Sequence, residues 1–479
     1  MTVERTDSDG YKMREVRNVK GQILLAETGD STNLSRMTYE YDDVGRIRHI
    51  HDHDGHITTR GYNVRDFLVT LDDPDRGVIR YEYDSYGGLE WQNNARQQET
   101  IYTYDRLGRL TSQSAIDFQE NRTYDTRPNG VGKLASVSYQ MPGKAIHHRQ
   151  TPSYDALSRL SQSVECIGAE GVGCTDFTTI YKYDDYSRLQ LTLLPGGEEV
   201  FREYNNNILQ RLRRGENGSL IWQMNNMDAR GRPLLEVAGS GSRTHTSYEF
   251  GNNQGGMLSG IRVNSGLENI LHRAYVYDPE NALLESREDL VWDPTNSTRY
   301  KETFTYDTQR RISTSQAFLN ESGNLLSDGE REASWTSFEK PHTLSKGSTT
   351  IRFEFGAGNN RTRRQEGLYS TWYLDGGPDV QIERLTHDDN EMSTKYHYLA
   401  NGKVVAIDEV SDESTDTTYL HHDRLGSAAL LTSSSGEVLE RMYFDVWGNI
   451  RNITASLNSN STVKSVYHTK GYTGHDYGS

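Results

Sequence analysis

Cysteine and long apolar runs are the scarcest things in this sequence, and their scarcity excludes whole classes of protein. Cys166 and Cys174 are the only thiols in 479 residues, too few for a disulfide-stapled scaffold, and with no histidine nearby they cannot form a structural zinc site. They lie eight apart across the glycine-rich stretch 167–173. They either close a hairpin loop in an oxidising compartment or are two unrelated thiols. No apolar run approaches the roughly 20 residues of a membrane-spanning helix. The polar segment 1–11 has no apolar core of a secretory signal. The chain is therefore expected to be soluble, without a membrane span, and either a fragment or exported without a standard signal peptide. Net positive charge is missing too. At -16 the chain lacks the basic stripe that phosphate backbones require, which argues against nucleic acid as a partner.

Aliphatic mass is also short. Only 34% of residues are hydrophobic and the mean hydropathy is -0.80, values that taken alone indicate disorder. The aromatic share of 10%, with 30 tyrosines, argues for a folded chain, since disordered chains are poor in aromatics. The 10 prolines and 43 glycines are not clustered as in a linker. A folded chain with so little aliphatic mass is expected to wet both faces of its sheets, as a hollow structure does and a solid globule does not. Lysine supplies 12 of the 52 basic residues, so arginine supplies 52 − 12 = 40. Arginine makes planar paired bonds to carboxylates and stacks on rings.

What is abundant is a repeat. Tyr104-Asp105-Arg106-Leu107-Gly108-Arg109-Leu110 is its clearest copy, and Tyr41-Asp42-Asp43-Val44-Gly45-Arg46-Ile47 matches it. Looser copies start at Tyr83, Tyr154, Tyr183, Tyr277 and Tyr306, with relics at Tyr204 and Met227. Alternation along a strand puts both tyrosines of Tyr102-Thr103-Tyr104 on one face. The Asp accepts backbone amides and starts a turn, the Gly supplies positive φ, and Arg-Leu re-enters a strand. Asp54-Gly55, Asn129-Gly130, Asn217-Gly218 and Asn401-Gly402 are further hairpin signals. Together these predict an all-β chain, a long antiparallel meander of strand-turn-strand repeats that must stack to bury a face.

These residues resemble the YD, or Rhs, repeats of bacterial polymorphic toxins, toxin-complex C subunits and teneurins. A second block sharpens the resemblance. Phe355-Gly356 with 359–364, then Thr371-Trp372-Tyr373-Leu374, then Tyr419-Leu420-His421-His422-Asp423-Arg424-Leu425-Gly426-Ser427, follow the order of the family's core-associated region, and Tyr443–Gly448 and Tyr472-Thr473-Gly474-His475-Asp476 continue it. The resemblance implies a repeat region over 1–350 and a core-associated region over 351–479, truncated at its C-terminal end. It implies a sheet spiralled into a hollow shell, left incomplete by the truncation, that encloses or presents a toxin. The structural residues it marks are Tyr41, Asp42, Gly45, Arg46, Tyr104, Asp105, Gly108, Arg109, His422, Asp423, Leu425, Gly426, Ser427, Tyr472, Gly474 and His475. The implied partners are a toxin cargo domain or a companion shell subunit; the alternative is a teneurin-like adhesion module meeting a cell-surface glycan or protein. The implied location is secreted or cell-surface associated. None of Asp73-Pro74, Asp278-Pro279 or Asp293-Pro294 carries the glycine of the family's self-cleavage motif, so self-cleavage is not carried over.

Two clusters carry chemistry out of context. His49, His51 and His53 would share a face of an extended strand, a donor set suited to Zn²⁺ or Ni²⁺. The plain alternative is a solvated strand face running into the Asp54-Gly55 turn. His421, His422 and Asp423, with Ser427 and Ser433–Ser435 nearby, contain the residue types of a nucleophilic triad. Proximity in sequence does not make a triad, and the family motif assigns these residues to structure. The expectation is a non-enzymatic chain with no cofactor and no metal. Tyr and Trp faces that could stack on sugar rings are the main binding alternative.

Overall fold

The computed structural model describes residues 1–6, 12–29, 34–240, 244–251, 256–277, 284–291, 298–303, 318–319, 324–327 and 330–444. Tyr472, Gly474 and His475 lie outside them. Among the described residues the regular structure is β-strand, with one short 3-10 turn at Ala357–Asn359. The expected antiparallel strand-turn-strand architecture is present throughout. Two compact units emerge: Met1–Ser158 with Val164–Asp176 and Thr305–Leu368, and Arg159–Ser163 with Phe177–Phe304 and Tyr369–Ser479. Each draws strands from both sides of residue 350.

In the first unit, strands from Thr2–Thr6 to Ile146–Tyr154 run as an uninterrupted meander, each antiparallel to the next. The sheet is open, because Thr2–Thr6 pairs on one side alone and its side chains are exposed. Through residue 115 only Glu27, Gly29, Ile79 and Asn94 are buried among the described residues. This stretch therefore has wetted side chains rather than a thick core, as the low aliphatic content predicted. Ion pairs take over part of the cross-strand role. Glu27 accepts from Arg14 at 2.9 Å and Arg36 at 2.7 Å, one on each neighbouring strand. Burial pushes the Glu27 carboxyl up, but the two guanidiniums beside it hold it below the ordinary value.

A true core forms where a second meander, Glu332–Trp335, Pro341–Lys346, Thr349–Phe355 and Arg361–Glu366, meets the first. Phe118 stacks on Tyr139 at 5.5 Å, Phe338 meets Phe118 edge-on at 5.4 Å, and Phe355 meets Phe338 at 5.3 Å. His147 lies in hydrogen-bond contact with the Phe355 carbonyl, 3.1 Å away. His148 accepts from the Ala357 amide through Nδ1, so its Nε2 carries the proton that meets Glu165 at 2.9 Å. Cys166 and Cys174 are disulfide-bonded, which resolves the choice the sequence left open.

The second unit has the denser interior. Leu420, Leu431, Met442 and Phe444 form one cluster, Val263, Leu271 and Leu430 another. The second unit likewise pairs an early meander, Leu189–Leu193 to Glu268–Tyr277, with a later one, Tyr369–Asp375 to Val438–Arg441. Three arginines of the early one reach carboxylates of the later: Arg202 to Asp379 at 2.8 Å, Arg214 to both oxygens of Asp408 at 2.6 Å, and Arg273 to Asp423 at 3.4 Å. Arg202 and Arg273 are almost fully buried. Such pairs hold position because removing one partner strands a buried charge.

One contact recurs in both units. The hydroxyls of eight tyrosines at the repeat position donate to a backbone carbonyl in the strand that leaves the preceding turn on the same edge. In the first unit Tyr41, Tyr62, Tyr83, Tyr104, Tyr124 and Tyr154 reach Ile23, Ile47, Leu68, Leu89, Leu110 and Leu134 at 2.8–3.0 Å. In the second, Tyr183 reaches Leu160 at 2.7 Å and Tyr204 reaches Leu189 at 2.8 Å. The strand bulges beside the tyrosine, between Thr103 and Tyr104 for example, and a bulge re-aims a side chain. Tyr104→Phe is expected to lower stability by about 1 kcal/mol, the net value of one hydrogen bond. Tyr86→Phe, at a fully exposed turn, should leave the urea midpoint unchanged; equal shifts in the two variants would contradict the ladder. Opening the Cys166–Cys174 loop by a double alanine substitution should cost roughly 2–3 kcal/mol, read in the same titration under oxidising conditions.

Candidate functional site

The chemistry of this chain is concentrated in the turn that follows each repeat tyrosine. In the copy at Tyr104, the Asp105 amide donates to the Arg109 carbonyl at 3.0 Å and the Gly108 amide to the Asp105 carbonyl at 3.0 Å. Gly108 sits at φ 76, the left-handed geometry of a type I turn closed by a bulge. Asp105 Oδ1 accepts the amides of Leu107 at 2.9 Å and Arg109 at 3.0 Å, while Oδ2 accepts from Arg109 Nε at 2.7 Å. One carboxylate thus satisfies two turn amides and locks the arginine. The Arg109 amide, with its guanidinium, holds the Asp105 carboxyl below the ordinary range. Asp42 with Arg46, Asp184 with Arg188, and Asp228 with Arg232 repeat the Oδ2–Nε bond at 2.7 Å.

The same arginine also ties its turn to the next one along the edge. Arg109 lies 4.4 Å over the Tyr124 ring and bonds both oxygens of Asp125. Arg46 lies 4.7 Å over Tyr62 and bonds Asp66. Arg188 lies 4.7 Å over Tyr204 and bonds Asn207. Tyr41, Asp42, Gly45, Arg46, Tyr104, Asp105, Gly108 and Arg109 are therefore brought together as the repeat required. The same turn occurs where the sequence did not advertise it. Asn18 and Asn63 cap their turns in place of aspartate. Thr336–Lys340 and Gly356–Asn360 close with the same backbone bonds, with Glu339 and Asn359 at positive φ. The sequence signal for Asn63, Thr336 and Gly356 was an amide, hydroxyl or glycine following an aromatic residue, whereas Asn18 follows Arg17.

The 419–427 motif is another such turn. The Asp423 amide donates to the Ser427 carbonyl at 2.9 Å, Gly426 has φ 85, and Asp423 Oδ1 accepts the amides of Leu425 and Ser427 at 2.9 Å. His422 occupies the tyrosine position, beside the same bulge, and Leu425 is the half-exposed tip. Asp423 Oδ2 faces Arg273. His421 is held between two hydroxyls, Thr246 at Nδ1 and Thr432 at Nε2, each at 3.1 Å. Its ring nitrogens are occupied by those threonines, and Ser433 and Ser435 bond each other in a separate exposed turn. His421 and the serines 433–435 are therefore not gathered into a triad. Burial pushes the His421 ring down to about 4.

The histidine set also separates. His49 and His51 lie on the strand Ile47–His51, where His49 meets Thr59 and His51 meets Glu40. His53 does not share their face, because Asp52 accepts the amides of Asp54 and His56 and so ends the strand in a turn. The group that does converge there is Asp52, Asp54 and His56, all exposed, with ligand atoms within 4.8 Å of one another. In the second unit a hollow of about 70 Å³ lies among Trp222, Glu236, Tyr248, Lys403 and His421. Tyr248 donates to Glu236 at 2.6 Å, and burial raises the Glu236 carboxyl. No sequence signal marked this hollow or the buried Arg–Asp pairs, since their partners lie more than 140 residues apart.

A sheet built from capped, arginine-locked aromatic turns defines a class of tandem-repeat β-protein, and comparison with known proteins narrows it. Residues 41–78 match the family model "RHS Repeat". Over 140 residues the chain is 23% identical to the tRNA3(Ser)-specific nuclease WapA of Bacillus spizizenii, covering 29% of this chain and 6% of that protein. The Tc holotoxin pore of Photorhabdus luminescens shares its fold, with a TM-score of 0.63 and 13% identity over 99% of this chain and 30% of that one. TcdB2-TccC3 without its hypervariable C-terminal region matches with a TM-score of 0.63 and 13% identity, over 97% of this chain and 31% of that one. The chain thus carries an Rhs repeat and has the fold of these Tc toxin proteins. It spans less than a third of the length of these relatives. Among the described residues no helix is long and apolar enough to cross a membrane.

The capped turn makes a distinction that mutation can read. Asp105→Ala should destabilise more than Asp105→Asn, which keeps an acceptor for the turn amides but not the ion pair; equal losses would show that the amide caps contribute nothing. His421 should make the second unit acid-sensitive. Its folded value of about 4 lies below the ordinary 6.5, so the unfolded chain takes up a proton first. Stability from this residue is complete above about pH 6.5 and is lost as pH falls toward 4, on the order of 3 kcal/mol. His421→Gln should flatten that part of the pH profile in chemical denaturation.

Proposed function

We propose that this chain is a length of toxin-enclosing wall that has no catalytic role of its own. The observation that carries the reading is the use made of the motif residues. Tyrosine, aspartate, glycine and arginine are spent on holding strand to strand, and the His422-Asp423 segment is spent on the same turn. The similarity to a Tc holotoxin pore and to TcdB2-TccC3 supports it, as does the hypervariable C-terminal region that TcdB2-TccC3 carries in addition to the part matched here. In this reading the repeats form the container, and the toxic activity belongs to a separate polypeptide segment. A companion shell chain completes the enclosure, and the location is extracellular or at a cell surface.

A solid globule of 479 residues has a radius of gyration of about 23 Å. A wall with solvent on both faces should exceed it in small-angle X-ray scattering of the purified chain, and a radius at or below that value would sink the proposal. Incubation with tRNA, the substrate class named for the Bacillus spizizenii relative, should give no cleavage above a buffer control. Turnover that disappears in His421→Gln would show instead that the chain is an enzyme.

A further inference from the structure

The ladder leaves one regular feature of the first unit unused. Along the sheet edge that carries the Tyr-Asp turns, each five-residue turn exposes one large apolar side chain: Val44, Tyr86, Leu107 and Leu157 at its third position, Val19 and Val64 at its second. The longer loop 125–133 on that edge adds Val131. Each is at least two-thirds exposed, and Tyr86 reaches 97%. The opposite edge is less regular: its turns Asp52–His56, Asp73–Gly77 and Asn94–Gln98 present no exposed large apolar residue, while the turn 115–118 exposes Ile116 and the loop 168–174 exposes Val172. An unbroken apolar row is not what a solvated edge selects.

The first unit also shows how such a tip is received. Phe338 holds the tip position in the turn Thr336–Lys340 and is seated on Phe118, edge-on at 5.4 Å. Asp117 accepts the Ser337 amide at 2.9 Å and its hydroxyl at 2.5 Å. Asn94 and Arg96 donate to the carbonyls of Ser337, Trp335 and Thr336. Phe118, Asp117, Asn94 and Arg96 all belong to turns of the opposite edge or border them. The seat for a Tyr-Asp turn is thus the opposite edge of another Tyr-Asp sheet: an aromatic ring for the tip, a carboxylate for the amides, and an arginine for the carbonyls.

We infer that the row from Val19 to Leu157 is a docking edge for a second YD-repeat chain, which offers its own opposite edge as the seat. The tips recur every two strands, about 10 Å, along an edge that turns with the sheet's twist. A partner must share that period and hand to follow more than one tip, so a sheet of the same repeat fits and an unrelated surface does not. A second copy of this chain fits poorly. Its open opposite-edge turns at 52–56 and 73–77 carry Asp52, Asp54, Asp73 and Asp75 and no phenylalanine, tyrosine or tryptophan, and Phe118 is already occupied. Seven tips at on the order of 100 Å² each give roughly 700 Å² of apolar area, close to the ~800 Å² per partner of a stable interface. The inference rests on the companion-chain reading above and specifies the surface that reading leaves open.

The test uses the full chain with purified TcdB2 as the probe, and sedimentation velocity as the readout. Wild type is expected to bind. Tyr86→Glu combined with Leu107→Glu should weaken binding at least tenfold, while Ile116→Glu, an equally exposed position at the opposite edge, should not. These side chains are solvent-exposed, so all three proteins should melt at the same temperature, which separates loss of docking from loss of fold. Binding that is equal in all three would overturn the docking edge and leave the wall reading standing. No binding by wild type would overturn both. Self-association of the chain alone, abolished by the two tip charges, would assign the edge to a second copy and reject the inference.

Discussion

The carboxylate that follows each tyrosine is the constraint on which the rest depends. A hairpin can reverse in many ways, but an aspartate that accepts the amides two and four residues on permits one geometry, with a left-handed residue three positions later. That geometry puts the arginine where its guanidinium returns to the same carboxylate and reaches the next turn. It also creates the bulge that aims the tyrosine hydroxyl at the neighbouring strand's carbonyl. Where glycine is absent, the turn is still made: Ser158 and Ser187 accept positive φ, which carries a steric cost for a residue with a side chain. The capping bonds and the arginine stack offset it.

A sheet organised this way does not need a deep core along its whole length. The described residues among the first 115 bury almost nothing fully, and their cohesion is lateral: ladder hydrogen bonds, Arg–carboxylate forks and ring stacking. Individually such surface pairs contribute little. Repetition from turn to turn links them into a network, in which breaking one member disturbs its neighbours. Deep burial appears where the second meander of each unit meets the first. There the chain changes chemistry, using phenylalanines and histidines in the first unit and aliphatic clusters with buried Arg–Asp pairs in the second.

The turn also explains why residue types mislead as to chemistry here. His422-Asp423 looks like a base with its orienting acid, and His49 to His53 looks like a metal set. In both places an aspartate caps a turn: Asp423 accepts the amides of Leu425 and Ser427, and Asp52 ends the strand that would have aligned the rings. The tips of these turns, which no local bond requires to be apolar, are where the repeat keeps information about neighbours.

Much of this was legible in the sequence because the determinants are local. Tyr, Asp, Gly and Arg within six residues specify the turn, and the 21-residue step between Asp84 and Asp105 specifies one hairpin per repeat. The all-β class and the roles of Tyr104, Asp105, Gly108 and Arg109 follow from those short-range bonds. Turns capped by asparagine, threonine or glycine were harder to read, because several residues satisfy the same amides and only the backbone reveals the equivalence. What no local pattern contained was every contact between the meanders: Arg214 with Asp408, Phe338 on Phe118, His421 with Thr246. Those pairings join residues more than 170 positions apart. They are set by which strands the folded sheets bring together, and burial there gives ordinary polar residues their fixed partners.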